Sequence, residues 1–197
     1  MQVKEKSSFL FLLGRQIFRI IFKLFYRYCI EGLQNIPNTG GAVIAPNHIS
    51  FFDPPLIGAA MKRPLYFMAK KELFDIPIFG WTIKQTNAFP VKRGVQDMFA
   101  VRYAFSLLER GRLLLMFPEG VRSRDGKLGK ARAGVGMVAC NAQVPLIPVK
   151  IENTNMMMLK FKQIKIKYGK PIYPPKNFSK KDYISLSQKV LDEISKM

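Results

Sequence analysis

The chain is poor in the residues that build metal sites and disulfide frameworks. Its 197 residues include only one histidine, two cysteines and one tryptophan. One imidazole and two scattered thiols cannot supply the clustered ligands of a zinc site, so we expect no metal. Cys29 and Cys140 lie far apart in two segments with helical patterns, which disfavours a disulfide and suits a reducing compartment.

Acidic residues are also scarce. The chain has 13 Asp and Glu against 32 Lys and Arg, which gives a formal net charge of +19. This charge predicts an anionic partner and leaves three classes open, which are a phospholipid surface, nucleic acid and a phosphorylated small molecule. The apolar content of 48% is enough for the core of one α/β domain plus a short accessory element.

The segment 8–30 is densely apolar and aromatic, yet it contains regularly spaced cations. Arg15, Arg19, Lys23 and Arg27 recur every four residues and therefore share one stripe of a helix. Burying four cations in a bilayer would cost on the order of 10 kcal/mol, which disfavours a spanning helix. An amphipathic helix in the membrane interface, with its arginines at lipid phosphates, avoids this cost. A second interpretation, in which the helix packs against the domain, stays open.

The rest of the chain alternates strand and helix patterns. A turn cluster at 36–41 divides it into an N-terminal interfacial membrane helix at 1–34 and an α/β domain at 35–197. Within that domain, apolar strand patterns are followed by helical ones. The predicted strands are 42–46, 65–68, 113–117 and 144–149, and the predicted helices begin at 54, 96 and 131. This order predicts a mixed, largely parallel sheet flanked by helices, with functional loops at the strand ends.

Three further segments carry structural predictions. The apolar stretch 76–83 is expected to face lipid in part. Residues 160–168 nearly alternate basic and apolar side chains, which predicts a half-exposed edge strand. A final helix is expected to begin at Ser179 with a capping box. The side chains that this helix is predicted to turn inward are Ile184, Leu191 and Ile194.

The single histidine lies in the strongest chemical motif of the chain. His48 follows a strand predicted to end at Pro46, and Asp53-Pro54 has the pattern of a helix N-cap and first helical residue. Imidazole and carboxylate can then meet across one short loop. Asp53 would fix the imidazole tautomer and leave the other nitrogen to accept a proton from a substrate hydroxyl. Taken alone, this segment does not decide between two explanations. In one, His48 and Asp53 form a catalytic pair; in the other, His48 is an ordinary loop residue and Asp53 only caps the helix.

Four short blocks stand in a characteristic order along the chain. They lie at 47–53, 89–93, 117–123 and 144–149, and they include His-x4-Asp and Phe-Pro-Glu-Gly. These blocks resemble those of the glycerolipid acyltransferase family, specifically of the 1-acyl-sn-glycerol-3-phosphate acyltransferases. The resemblance covers roughly residues 35 to 175. One departure is Val121, which replaces a threonine often found in the third block.

The resemblance implies a reaction. A fatty acyl group passes from acyl-CoA or acyl carrier protein to the sn-2 hydroxyl of 1-acyl-sn-glycerol-3-phosphate (lysophosphatidic acid), and phosphatidic acid forms. His48 would be the general base and Asp53 its partner. No cofactor is implied, because the acyl thioester is a co-substrate. Neither Ser50 nor Cys140 lies in a nucleophile motif, so direct transfer is favoured over an acyl-enzyme.

The remaining candidates would bind the acceptor, whose phosphate requires cations on loops near the base. The first candidates are Arg93 and Arg122, and the second are Lys70 and Lys92. Glu119 is expected to orient the glycerol or the arginines. Gly120 is expected to let the backbone approach the substrate closely.

The expected location of the protein follows from its N-terminal segment and from its acyl donors. The apolar N-terminal segment is interrupted too early for a signal peptide, and the donors are cytoplasmic. We therefore expect a monotopic protein on the cytoplasmic face of the cell membrane, bound to anionic phospholipid.

One alternative function is that of an acyltransferase acting on glycerol 3-phosphate or another lysophospholipid. More distant alternatives are a noncatalytic lipid-binding module and a nucleic-acid-binding protein, although no nucleic-acid motif is recognised and we expect no such partner.

Overall fold

One sheet of seven strands organises the part of the chain that the computed structural model describes, residues 9–92, 97–155 and 163–197. Helices flank this sheet. They are α1 (Phe9–Phe25), α2 (Asp53–Ala60), α3 (Pro77–Gln85), α4 (Met98–Glu109), α5 (Ala133–Ala142) and α6 (Lys180–Lys196). The strands are β1 (Tyr28–Glu31), β2 (Ala42–Pro46), β3 (Leu65–Lys70), β4 (Ala88–Val91), β5 (Leu113–Leu115), β6 (Leu146–Glu152) and β7 (Ile164–Tyr168). Short 3-10 turns occupy 33–35 and 71–74.

The sheet is mixed and largely parallel, as predicted. Its strand order is β1-β7-β6-β2-β5-β3-β4. Strands β2 to β6 all run in one direction, while β7 is antiparallel to β6 and parallel to β1. The carboxyl ends of five strands therefore share one edge of the sheet, where loops carry functional side chains in folds of this kind.

Strand β2 lies in the middle of the sheet and is buried on both faces. Val43 and Ala45 belong to the core cluster formed with α4, α5 and α6. Ala42 and Ile44 belong to the opposite cluster, formed with α1 and α2. Double burial explains why this strand is a continuous apolar run instead of an alternating one. It gives the loop after Pro46 a rigid support.

Helix α1 packs against α2 through one of its faces. Phe22 is fully buried between them and the sheet. Arg19 donates to the carbonyl oxygens of Ala59 and Met61, at 2.5 and 3.0 Å. Carbonyls at a helix end lack intrahelical partners and carry the negative end of the helix dipole, so a cation is stabilising there. Arg19 thus binds the end of α2, and the prediction that it meets lipid phosphate is wrong.

The opposite face of α1 exposes apolar side chains. They are Leu13, Ile17, Ile20, Ile21 and Leu24. One face of α1 therefore packs on protein, as the second interpretation of the sequence predicts, and contact of the other face with lipid stays a prediction. Over the described residues, no helix is both long and apolar enough to cross a membrane. The side chain of Lys23 lies outside the described part of the structure. The division at residue 34 stays a prediction, while β1, which precedes it, pairs within the sheet.

Two predictions about strands are wrong. Strand β7 is not at an edge, because β1 pairs with it on the side away from β6. Cys29 lies in β1 and not in a helix. Strand β1 has only four residues, too few to show an alternating pattern, and the aromatic and apolar composition of α1 extends into it. Of the basic alternating segment, residues 160–162 lie outside the described residues.

Helix α6 confirms one prediction in full and another in part. Ser179 and Asp182 form the capping box. Leu191 and Ile194 are buried, but Ile184 is exposed and its predicted inward orientation is wrong. The contact with α5 instead begins one residue earlier, where the carbonyl of Tyr183 meets the backbone of α5.

This contact yields a test of how closely α5 and α6 pack. A Cβ added at Gly136 would lie 2.0 Å from the Tyr183 carbonyl oxygen, whereas a Cβ at Gly134 meets nothing within 4 Å. Gly136→Ala should lower the free energy of unfolding by about 1–3 kcal/mol through overpacking. Gly134→Ala, its matched control, should raise it by at most about 1 kcal/mol. Urea unfolding measures both, and equal effects would contradict the close contact.

Candidate active site

The loop after β2 is fastened to the neighbouring strand before it reaches His48. Pro46 ends β2 and has no N–H to donate. The side-chain amide of Asn47 compensates by accepting from the Ile151 N–H at 2.7 Å and donating to the Ile151 carbonyl at 3.0 Å. Asn47 thus continues the pairing of β2 with β6 by one further residue. His48 follows at a fixed position on the carboxyl edge of the sheet.

The carboxylate of Asp53 is fully buried and receives four hydrogen bonds. Its Oδ2 accepts from His48 Nδ1 at 2.9 Å and from the backbone N–H groups of Ile49 and Ser50, both at 2.8 Å. Its Oδ1 accepts from the Thr154 hydroxyl at 2.6 Å. A buried charge needs such donors, because burial without them is strongly unfavourable. The predicted meeting of His48 and Asp53 is therefore seen in the structure.

Asp53 differs in one respect from the sequence prediction. Helix α2 begins with Asp53 itself, Phe52 occupies the cap position, and no side chain caps the helix. The carboxylate instead turns back toward the preceding loop. It still lies in the first turn of α2, where the positive end of the helix dipole favours a negative charge.

The surroundings of His48 define its tautomer. An ionised carboxylate can only accept, so His48 Nδ1 carries a proton, and in the neutral ring the lone pair is on Nε2. Phe117 stacks on the imidazole with ring centroids 3.8 Å apart and planes 16° apart. The His48 side chain is 12% exposed. Chemically, this is an oriented imidazole whose second nitrogen faces away from Asp53 and is available to a hydroxyl that enters the site.

The loop carrying the Phe-Pro-Glu-Gly block is joined to the backbone of His48 on both sides. The His48 N–H donates to Glu119 Oε1 at 3.0 Å, and the Ser123 N–H donates to the His48 carbonyl at 2.8 Å. The other oxygen of Glu119 accepts from the Gly129 N–H at 2.7 Å. Glu119 is buried, and both of its oxygens bind backbone. Its carboxylate therefore links the loop of His48 to the segment around Gly129.

The same loop positions a glycine and an arginine. Gly120 has φ +69°, and a Cβ there would lie 2.7 Å from the side chain of Arg132. The need for glycine is thus explained by backbone conformation and by a neighbouring side chain. The guanidinium of Arg122 lies 3.8 Å above the ring of Phe51, and both side chains are exposed. This cation–π contact places a positive charge close to the loop of His48.

The predicted lysines lie farther along the same edge. Lys70 ends β3, two strands from β2, and Lys92 follows β4, three strands away. At the usual spacing these offsets are roughly 10 and 14 Å. Lys70 Nζ lies 3.4 Å from a carboxylate oxygen of Glu72. The backbone N–H of Lys92 donates to the carboxylate of Asp97, and this bond and a second backbone donor lower the pKa of Asp97. Arg93 lies outside the described residues.

The sequence did not single out three of these contacts. Phe117 and Asn47 lie within recognised blocks, but an aromatic residue and an amide at strand ends are typical of ordinary core and turn positions. Thr154 lies two residues beyond β6, the neighbour of β2. A polar side chain just after a strand next to β2 is the signal that could have identified it.

Metal and cofactor requirements stay predictions. Among the described residues, no three His, Cys, Asp or Glu side chains are grouped as a metal site requires. The only imidazole is already hydrogen-bonded through Nδ1 to Asp53.

Thr154 offers a test of the buried carboxylate. Thr154→Val removes a donor from a buried charge, so the free energy of unfolding should fall by about 1–3 kcal/mol. The matched control is Thr82→Val, because the exposed Thr82 hydroxyl bonds only to a carbonyl of its own helix. That variant should change stability by no more than about 0.5 kcal/mol. Denaturant unfolding of both variants makes the comparison, and equal losses would contradict the role assigned to Thr154.

Comparisons with known proteins identify the family of the chain. A family model described as Acyltransferase matches residues 27–152. A chloroplastic 1-acyl-sn-glycerol-3-phosphate acyltransferase of Arabidopsis thaliana is 34% identical over 137 residues, which is 68% of this chain and 38% of that protein. The protein of the same name from Streptococcus pneumoniae is 35% identical over 146 residues, 71% of this chain and 53% of its own length. The chain thus spans about half the length of these relatives or less.

A solved structure extends the likeness to the whole fold. The crystal structure of the 1-acyl-sn-glycerophosphate acyltransferase PlsC from Thermotoga maritima aligns with a TM-score of 0.78 at 28% identity. The alignment covers 96% of this chain and 78% of the other. The family match includes the loop of His48 and Asp53 and the loop of Glu119. On these grounds, the chain belongs to the acyltransferase family.

Proposed function

We propose that the chain transfers a fatty acyl group from acyl-CoA or acyl carrier protein to the sn-2 hydroxyl of 1-acyl-sn-glycerol-3-phosphate, forming phosphatidic acid. The observation that carries this proposal is the pair of His48 Nδ1 and the buried Asp53 carboxylate, 2.9 Å apart. The names of the relatives at 34% and 35% identity support the choice of acceptor.

The proposed chemistry uses His48 twice. Nε2 takes the proton of the acceptor hydroxyl while its oxygen attacks the thioester carbonyl. Asp53 stabilises the imidazolium that results, and the face of Phe117 lies parallel to it. The tetrahedral intermediate then collapses, the carbon–sulfur bond breaks, and the leaving thiolate takes the proton back from Nε2. All atoms and protons are thereby accounted for without a further reactant.

Direct transfer is supported by the positions of the possible nucleophiles. Cys140 is buried within α5, and burial raises the pKa of its thiol, which keeps it protonated. The Ser50 hydroxyl is buried and accepts from the Phe52 N–H. Cys29 lies on β1, at the far end of the sheet from β4 and four strands from β5. We therefore assign the reaction to a ternary complex without an acyl-enzyme.

Arg122 is the cation we assign to the acceptor phosphate. It is exposed, it lies on the loop that binds the backbone of His48, and Phe51 holds its guanidinium in place. Lys70 and Lys92 would approach the phosphate from the side of β3 and β4. Arg93 stays a candidate because it belongs to the second of the four blocks, at 89–93. For Glu119 we propose a positioning role, since its two oxygens already bind the backbone of two loops.

We further propose that the chain lies on the cytoplasmic face of a membrane as a monotopic protein. The exposed apolar stripe of α1 supports this placement, together with the net charge of +19, which favours anionic lipid. Because Arg19 is bound to α2, lipid contact by α1 depends mainly on its exposed leucines and isoleucines. Co-sedimentation of the protein with anionic vesicles tests the placement.

The reaction is tested by thiol release from acyl-CoA and from acyl carrier protein, with and without lysophosphatidic acid. Acceptor-dependent release should fall about a hundred- to ten-thousand-fold in His48→Ala, because general base catalysis is lost. The variant loses one of the four donors to Asp53 but should stay folded, since the other three donors and the backbone bonds of His48 remain. Retained release in a folded variant would exclude His48 as the base. If release required glycerol 3-phosphate or another lysophospholipid and did not occur with lysophosphatidic acid, that compound would be assigned as the acceptor.

The phosphate assignment has its own matched pair. Arg122→Ala should raise KM for lysophosphatidic acid by about tenfold or more, because a charge-assisted hydrogen bond contributes roughly 1.5–3 kcal/mol. Arg124→Ala removes an exposed arginine from the same loop and should leave KM nearly unchanged. Steady-state kinetics at saturating donor measures KM for lysophosphatidic acid in both variants. Identical acceptor kinetics in the two variants would contradict the role of Arg122.

A further inference from the structure

Helix α3 exposes a cluster of large apolar side chains that nothing in the described structure covers. Ile78 is 83% exposed, Trp81 56% and Phe79 47%, and Ile76 just before the helix is 48% exposed. These four residues are the α3 patch. Contiguous apolar surface of this kind marks an interaction site, whereas single exposed apolar residues do not.

The α3 patch is held outward by close backbone packing. Gly80 is the buried residue of the helix, and a Cβ there would lie 2.3 Å from the carbonyl oxygen of Phe74. The backbone of α3 therefore rests on the 3-10 turn at 71–74. Such a contact fixes the helix and leaves its larger side chains directed away from the core.

The patch is close in the fold to the edge where the site opens. Strand β3 is parallel to β5, and β5 is parallel to β2, so their carboxyl ends coincide. The 3-10 turn at 71–74 directly follows β3, and the patch begins two residues after it, at Ile76. Phe51 and Phe52, in the loop after β2, are also exposed. Apolar side chains thus accompany the site on the same side of the sheet.

We propose that the α3 patch inserts into the interfacial layer of an anionic phospholipid bilayer, as a second membrane contact beside α1. This proposal rests on the proposed function, in which the acceptor is a membrane lipid. Two contacts restrict the rotation of the protein on the surface and turn the mouth of the site toward the bilayer. The acceptor then reaches His48 without its acyl chain crossing water.

The chemistry around the patch fits this occupant. Tryptophan prefers the membrane interface, where its amphipathic ring lies at the level of the headgroups. Lys70, Lys71 and Lys84 are exposed beside the patch. Together with the net charge of +19, they favour anionic lipid.

Trp81 is the only tryptophan of the chain, so its fluorescence reports on the patch alone. The 197-residue chain is titrated with vesicles of phosphatidylcholine and phosphatidylglycerol. The emission should shift to shorter wavelength, and phosphatidylcholine brominated in its acyl chains should quench it. Vesicle sedimentation and acyl transfer are measured on the same samples.

A matched pair of variants tests the contribution of the patch to affinity. Ile78→Gln should weaken vesicle binding by about tenfold, because one buried isoleucine side chain is lost from the bilayer. Ile184→Gln changes an exposed isoleucine on α6, which packs against α5 and β6, and should leave binding unchanged. Equal losses in both variants would overturn the proposal.

The other outcomes are distinguishable. Sedimentation with vesicles but unchanged Trp81 emission would overturn the α3 contact while the membrane placement through α1 stands. Acyl transfer to micellar lysophosphatidic acid without any vesicle binding would overturn both contacts and leave the reaction intact. Blue-shifted emission of the free protein, together with a dimer in light scattering, would show that a second copy covers the patch and would overturn the proposal.

Discussion

The buried carboxylate of Asp53 is the constraint on which the site depends. Without solvent, its charge must be balanced by donors, and these come from the His48 imidazole, from the backbone of the loop after β2, and from Thr154 beyond β6. To satisfy Asp53, the chain must bring the end of β2, the start of α2 and the end of β6 together. The requirement that stabilises the fold at this point also orients the imidazole.

Local features of the sequence were enough to predict the strand at 42–46 and the His48–Asp53 pair. The apolar run 42–46 ends at a proline, and the acidic partner follows His48 within one loop, so neither prediction needs a distant contact. The order of the four blocks supplied the family. The strand–helix alternation then predicted the parallel sheet, because short loops and helices connect parallel neighbours.

Features that depend on distant pairing escaped prediction. The partner of β7 is β1, from the opposite end of the chain, and a pattern of four residues does not indicate which strand it will join. Arg19 had the spacing of a lipid-facing stripe, but the unpaired carbonyls at the end of α2 compete for it. Thr154 became part of the site only through the strand order, which places β6 beside β2.

The two hydrogen bonds between His48 and the loop of residues 119–123 make His48 and that loop one rigid unit. Glu119 holds the N–H of His48, and the N–H of Ser123 holds its carbonyl. In the proposed function this loop recognises the acceptor through Arg122, and it cannot be remodelled without moving the imidazole. Diversification toward new acceptors would then be confined to positions off this loop, such as the ends of β3 and β4, where substitutions leave the geometry of His48 unchanged.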